Sequence, residues 1–119
     1  MKRYGLTIIL TVLAGCASVA PHAESKGAKM LNEGIKSFDD GRYSDTITEL
    51  QGALDTDLTD QEKVSAHKFL AFTYCISDRE KLCREEFRKA LAVDPGFKLT
   101  PAEAGHPIWG AVFDSIKRN

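Results

Sequence analysis

Two apolar runs at helical spacing, separated by a short polar interruption, constrain the fold of this chain most strongly. They lie between Val64 and Pro95. In each run apolar side chains recur three or four residues apart, which is the spacing of one helix face. Ser77 and Asp78 separate the runs, and Pro95 ends the second because proline cannot continue a helix. The segment is therefore predicted to form two antiparallel helices, a helical hairpin.

The size and charge of the chain agree with one small globular domain. It has 119 residues, of which 28% are charged and 43% are hydrophobic, and its formal net charge is -1. This balance is typical of folded proteins rather than disordered ones. There is no basic excess, so nucleic acid is not expected among the partners.

The start of the chain has the pattern of an export signal. Lys2 and Arg3 precede an apolar core, residues 6–13, which is too short to span a bilayer. The core runs into Leu13-Ala14-Gly15-Cys16, which resembles the lipobox of bacterial lipoproteins. That resemblance implies cleavage before Cys16 and acylation of Cys16, and several acyl chains on one residue anchor a protein stably. The alternative is a signal without lipidation, in which the cysteine stands by chance.

The same resemblance implies a location and a division of the chain. Ala17 stands where the enterobacterial rule for inner-membrane retention has Asp, so the chain is expected in the outer membrane, facing the periplasm. Residues 1–15 are interpreted as a lipoprotein signal peptide, residues 16–27 as a lipidated tether, and residues 28–119 as the folded domain. The tether is small and polar, and its His22 is expected to be solvated.

The hairpin has a related copy before it, between Ala28 and Leu54. Apolar residues again mark two helices, Asp40-Gly41 is a turn signal, and Ser44 and Asp45 are candidate caps for the second helix. The two copies align at an offset of 37 residues, so that small residues match small ones and large residues match large ones. Examples are Gly34 with Ala71, Leu50 with Phe87 and Ala53 with Ala90, and the turn residues Gly41 and Asp78 also align. Small residues let helices approach each other, and large ones fill the seams between them.

The aligned pattern resembles the tetratricopeptide repeat, whose period is about 34 residues. The matching positions are Gly34, Phe38, Gly41, Tyr43, Leu50, Ala53 and Leu54 in the first copy and Leu70, Ala71, Tyr74, Phe87, Ala90, Leu91 and Pro95 in the second. Thr46 and Cys83 depart from the pattern, because the family prefers Ala there, and the second turn lacks Gly. The resemblance implies an all-α fold of two helical hairpins. Such arrays usually need roughly three units, so the C-terminus must supply the rest.

The C-terminal segment, residues 96–119, carries the signals of two further short helices. Thr100-Pro101-Ala102-Glu103 is a capping box with proline in the first turn, and Gly105 ends that turn. The second helix is amphipathic and contains Trp109 and Phe113. One interpretation is a capping helix whose Trp109 and Phe113 cover the second hairpin. The alternative is a partner-docking helix, or a binding corner formed by His106 and Trp109.

Cys75 and Cys83 flank the predicted turn of the second hairpin. Residues equidistant from the turn of an antiparallel hairpin face each other, and their Cα separation is then near the value of a disulfide. An oxidising compartment would preserve such a bond. The alternative is two buried thiols that act as small apolar residues. No suitably placed His completes a metal site, and the spacing differs from the CxxC redox motif.

No catalytic motif stands out in the sequence. It has no Gly-rich phosphate loop, no nucleophile elbow and no H-E-x-x-H. The acidic pairs Asp39-Asp40 and Glu85-Glu86 are expected to be solvated, and His67 is expected between packed helices or at a polar edge. The chain is therefore expected not to be an enzyme, and to bind no cofactor, metal or small-molecule substrate.

The sequence favours a protein-binding surface over a catalytic site. In the tetratricopeptide family the first helix of each unit lines the concave face. The resulting candidates for partner binding are Asn32, Ile35, Lys36, Phe69, Phe72 and Trp109. If this face is exposed, it is an interaction patch; if Trp109 and Phe113 cover it, it is core.

The run from Leu99 to Trp109, after a repeat that ends in Asp94-Pro95, resembles small repeat lipoproteins associated with type VI secretion clusters. That resemblance implies a non-catalytic module with protein partners in an envelope complex and a lipid anchor in the membrane. Two alternatives remain open. One is a pilotin-like or outer-membrane assembly factor, and the other is a cell-wall enzyme accessory or glycan-binding protein. The last is weaker, because a glycan groove needs several exposed aromatic and acidic side chains together.

Overall fold

Helices dominate the computed structural model of the protein, which describes Gly15 and residues 23–118. They are α1 (Lys26–Asp39), α2 (Tyr43–Leu54), α3 (Asp60–Ile76), α4 (Glu80–Val93), α5 (Pro101–Ala104) and α6 (Trp109–Lys117). Residues 23–118 contain no strand. The predicted all-α fold of helical hairpins is confirmed. Cys16 lies outside the described residues, so its lipidation stays a prediction.

The helices form two hairpins that stack in sequence. α1 packs along α2, α3 packs along α4, and α2 joins the two hairpins by packing against α3. Small residues let the helices approach closely: a Cβ atom on Gly34 would lie 2.5 Å from Cδ2 of Leu50. Ala53, Ala71 and Ala90 are all 0% exposed. The small positions that the two copies share therefore lie at helix contacts.

The start of α1 differs from the prediction. Lys26 and Gly27 belong to α1, although the sequence pattern placed them in the tether. Ser25 caps the helix, because its hydroxyl accepts a hydrogen bond from the backbone N–H of Ala28 at 3.1 Å. Gly27 is buried against the loop between α2 and α3, where an added Cβ would lie 2.8 Å from Leu58. This contact, which joins residues far apart in the sequence, extends the folded part towards the N-terminus.

The start of α2 also differs from the prediction, and the proposed caps Ser44 and Asp45 are wrong. The N-cap residue is Arg42, which makes no side-chain capping bond. Its backbone N–H donates to the carbonyl of Ser37 at 2.8 Å, and the N-cap lies two residues before the predicted Ser44. Asp45 then lies in the first turn, where it pairs with Arg42 at 3.2 Å.

Two capping boxes agree closely with the local sequence. Thr59 and Glu62 begin α3, and Thr100 and Glu103 begin α5. The box at Thr100, with Pro101 in the first turn, is the predicted one and is confirmed.

A disulfide closes the turn between α3 and α4. The Sγ atoms of Cys75 and Cys83 are 2.04 Å apart and their Cα atoms are 5.1 Å apart. Both residues are buried, at 3% and 0% exposure. Asp78, within this turn, has a φ of 59°, while its aligned counterpart Gly41 has a φ of 75°. The two hairpins therefore use the same left-handed turn position, although Asp adopts it less readily than Gly.

The C-terminal segment returns to the second hairpin. α6 packs against α4 and α3, and α5 packs against α6. None of the described helices is long and apolar enough to cross a membrane.

Loss of the disulfide is expected to destabilise the domain measurably. For so short a loop, replacing Cys75 and Cys83 by Ala should lower the free energy of unfolding by about 2–3 kcal/mol, since the unfolded chain regains freedom. Urea denaturation of the wild type with and without reductant measures the effect, and the double variant is the control that reductant should not change. Equal stability of the wild type in both conditions would contradict the prediction.

Candidate functional site

The apolar face shared by α1 and α3 is covered by α6. The rings of Phe72 on α3 and Trp109 on α6 stack with their centroids 4.2 Å apart and an interplanar angle of 18°. Phe38 on α1 joins them, at 5.4 Å from Phe69 and 6.1 Å from Trp109. Phe72 is left only 2% exposed. Much of this face is therefore core, which agrees with the capping interpretation of α6.

Trp109, the single tryptophan of the chain, has two further partners. The ring of His106 stacks with it at a centroid distance of 3.4 Å, and the indole Nε1 donates to the carbonyl of Glu103 at 2.9 Å. The backbone N–H of Ile108 donates to Nδ1 of His106 at 3.2 Å, which fixes the imidazole. The predicted corner of His106 and Trp109 does form, but it is built into the packing against Phe72.

Phe113 anchors the middle of α6. Its ring lies 5.1 Å from that of Phe87 on α4 and 5.5 Å from that of Phe97. Phe87 is 0% exposed. Near the C-terminal end of α6, the Nζ of Lys117 donates to the carbonyl of Phe97 at 3.3 Å. α6 is thus held along its length by the second hairpin and the segment that follows it.

The candidate partner-binding residues do not form one open surface. Phe72 is buried, Ile35, Phe69 and Trp109 are half-buried, and Asn32 and Lys36 are exposed. Asn32 donates to Glu24, and the Nζ of Lys36 donates to Asp40 at 3.2 Å. A partner therefore has access to the polar side of α1, but not to Phe72 in this conformation.

A buried polar cluster links α3 and α4. Nδ1 of His67 lies 2.7 Å from Oε2 of Glu86, and Nζ of Lys89 lies 2.9 Å from Oε1. The side chains of His67 and Glu86 are only 14% and 10% exposed. Burial raises the pKa of Glu86, but the hydrogen bonds and charges of His67 and Lys89 outweigh it and hold that pKa below its ordinary value. Both carboxylate oxygens are occupied, so the geometry fits a structural ion pair rather than an acid or base in catalysis.

A second partly buried ion pair ties α5 to α3. Nζ of Lys68 lies 2.9 Å from Oε2 of Glu103, and the same Nζ is 4.8 Å from the ring centroid of Phe69. Burial raises the pKa of Glu103, but the bonds from Lys68 and from the backbone N–H of Thr100 outweigh it, so that pKa lies below its ordinary value. The pair closes the edge of the aromatic contacts around Phe69.

Two open grooves flank the segment that joins α4 to α5, and sequence reasoning missed both. The larger, about 700 Å³, lies against the first turns of α3 and has Asp60 and Asp94 as well as Lys68 and Lys98 in its walls. The smaller, about 480 Å³, lies beside α6. Its lining residues are Lys98, Leu99, Ala104, His106, Pro107, Gly110, Ala111, Phe113, Asp114 and Lys117. We call it the α6 groove.

The sequence carried one weak signal for the α6 groove. Lys98 and Lys117 lie far apart in the chain, but they flank apolar residues in a segment with few acids. Their approach depends on how α6 folds back, which no local pattern shows.

Within residues 23–118, no three His, Cys, Asp or Glu side chains are grouped so that they could hold a metal ion.

Comparison of the chain with protein-family models, curated proteins and solved structures gives no match.

The packing of Trp109 predicts a large effect of its removal. Trp109→Ala should lower the free energy of unfolding by about 3 kcal/mol, because it deletes the ring that covers Phe72. Its neighbour Ile108 is 47% exposed and provides the matched control. Ile108→Ala should cost less than about 1 kcal/mol in the same urea titration. Similar losses for the two variants would contradict the assignment of Trp109 to the core.

The ion pair of Glu86 predicts a loss of stability in acid. The folded-state pKa of Glu86 lies below its ordinary value of 4.5. The ionised Glu86 carboxylate therefore stabilises the folded state fully above pH 4.5. This stabilisation is lost as the pH falls through the lower folded-state pKa. Glu86→Gln should therefore flatten the fall in unfolding free energy below pH 4.5, measured by urea titration at successive pH values. The neighbouring substitution Glu85→Gln is the control, and an equal flattening by both would contradict a special role for Glu86.

Proposed function

We propose that this chain is a lipid-anchored, non-catalytic protein-interaction module that helps to assemble or tether an envelope complex. Its place would be the outer membrane, on the periplasmic side, with Cys16 as the lipid attachment. The similarity of the run from Leu99 to Trp109 to small lipoproteins of type VI secretion clusters makes that secretion machine the complex we expect. This proposal has no cofactor and no small-molecule substrate.

One observation supports a scaffold over an enzyme most directly. The buried titratable side chains of the described domain are taken up by structural contacts, as His67 with Glu86 and Lys68 with Glu103 illustrate. Among residues 23–118, no buried side-chain nitrogen or oxygen lacks a hydrogen-bond partner. Active sites, in contrast, usually hold groups with environments arranged to keep them reactive. A packed stack of helices with open surface grooves is suited to binding another protein.

The disulfide supports the proposed compartment. Cys75 and Cys83 are bonded and buried inside the second hairpin. Disulfides persist in the periplasm and are rare in the bacterial cytosol, because cytosolic thiols are kept reduced. A buried disulfide, together with the export-signal pattern that we predict at residues 1–15, is consistent with a folded domain in the periplasm.

Lipid anchoring predicts the behaviour of one substitution. Cys16→Ser should move the protein from the membrane fraction to the soluble periplasmic fraction, because the acyl chains supply most of the membrane affinity. Cell fractionation followed by immunoblotting measures the distribution. Ser18→Ala, two residues further along, is the matched control and should stay with the membrane. Membrane sedimentation of the Cys16→Ser protein would contradict the anchor.

The interaction itself is tested by cross-linking in cells. A photo-reactive residue at Asn32, on the exposed side of α1, or at Ala111, in the α6 groove, should give an adduct with a component of the secretion machine. An adduct with a secretin or a β-barrel precursor would instead favour the pilotin-like alternative. Absence of any protein adduct from both positions, in cells that assemble the machine, would contradict the proposal.

A further inference from the structure

The C-terminal segment, which lines most of the α6 groove, differs in charge from the first hairpin. Residues 96–118 carry three basic and two acidic side chains, while residues 23–57, which form the first hairpin, carry four basic and eight acidic ones. Asp114 in the groove wall is paired with Arg118 at 3.2 Å, and Glu103 is paired with Lys68. Both acids of the C-terminal segment thus have a basic partner, although the pair of Asp114 with Arg118 is largely exposed.

Two lysines therefore dominate the electrostatics of the groove. Among the described residues, neither Lys98 nor Lys117 has a carboxylate within 4.0 Å. Lys117 donates to the carbonyl of Phe97, which holds its ammonium group at the edge of the groove. Both lysines are exposed.

Most of the surface that lines the groove is apolar. Leu99, from the segment before α5, lines it together with Ala111 and Phe113 of α6. The volume of about 480 Å³ is in the range of clefts that bind ligands, and it suits a bulky apolar side chain with its flanking backbone. A ligand that is complementary to an apolar concavity with two cationic groups at its edge has an apolar side chain flanked by carboxylates.

We propose that the α6 groove binds an acidic peptide segment of a partner protein, which inserts a bulky apolar side chain between Leu99 and Phe113 and places its carboxylates near Lys98 and Lys117. This inference rests on the proposed function, since it names the chemistry of the partner. The acidic first hairpin repels the same peptide, so that its binding is directed to the C-terminal end of the domain.

Two other occupants fit less well. A second copy of this chain offers Tyr43 as an exposed aromatic beside acids, but Asp40 and Asp45 there are already paired with Arg42 at 3.5 and 3.2 Å. An anionic bilayer presents a broad surface that contacts protruding side chains, whereas Leu99 and Phe113 line a concavity. Both remain outcomes of the test.

The test uses selection of peptides from a random displayed library on the full chain purified in detergent. Selected peptides should carry Asp or Glu on both sides of a large apolar residue, and they should change the fluorescence of Trp109, whose neighbour His106 lines the groove. The double variant Lys98→Glu, Lys117→Glu should weaken binding by about tenfold or more, because it replaces attraction by repulsion. The control Lys29→Glu, Lys81→Glu makes the same change in net charge on exposed lysines of α1 and α4 and should bind as the wild type does.

Two further measurements guard against loss of folding and against the other occupants. The circular dichroism melt of each variant shows whether it folds, and the milder Lys98→Gln, Lys117→Gln variant should still weaken binding. Selected peptides without acids, or binding that the lysine variants do not alter, would overturn the inference. So would sedimentation of a wild-type dimer that the groove variant dissociates, or flotation of the Cys16→Ser chain with anionic vesicles that depends on Lys98 and Lys117. Cross-linking at Asn32 distinguishes this inference from the proposed function. If Asn32 gives an adduct with an envelope protein while any of these results is obtained, the proposed function is supported and only the role of the α6 groove is rejected.

Discussion

The fold depends on the contact between Phe72 and Trp109. Two stacked hairpins alone would leave the apolar face of α1 and α3 exposed, and repeat arrays need a capping element that covers their exposed apolar surface. Here a single short helix, α6, does so, with Trp109 against Phe72 and Phe113 against Phe87. Aromatic pairs of this kind add about 0.5–1.5 kcal/mol each beyond the area that they bury. Residues 23–118 thereby complete their core without a third full hairpin.

The turn of the second hairpin shows how a departure from the repeat pattern is accommodated. Gly41 and Asp78 occupy equivalent left-handed positions, and only glycine does so without a steric cost. In the second hairpin the disulfide between Cys75 and Cys83 encloses that position and restricts the alternatives open to the unfolded chain. The sequence predicts an exported location, and the disulfide between Cys75 and Cys83 would persist there. It would then stabilise the turn in which Asp78 replaces glycine.

Local signals in the sequence were enough to predict the helices and several of their ends. The helical spacing of apolar residues predicts both hairpins. The capping box at Thr100 can also be predicted, because it involves only residues within one helical turn. The errors arose where distant residues decide the outcome. Gly27 joins α1 because the loop at Leu58 packs on it, and α2 begins early because Arg42 bonds back to Ser37. The α6 groove was missed for the same reason, since its two lysines come together only after α6 has folded back.

The sequence also left open whether the face of α1 and α3 is surface or core, because Trp109 suits either case by its chemistry. The structure assigns Trp109 to the packing, and the accessible surfaces are then the polar side of α1 and the α6 groove. Nuclear Overhauser effects from the indole protons of Trp109 test this assignment most directly, since the chain has no other tryptophan. Strong effects to the rings of Phe72 and Phe38 are expected. Their absence, with Trp109 resonances at the positions of the unfolded chain, would show that α6 leaves this face open and would contradict the account.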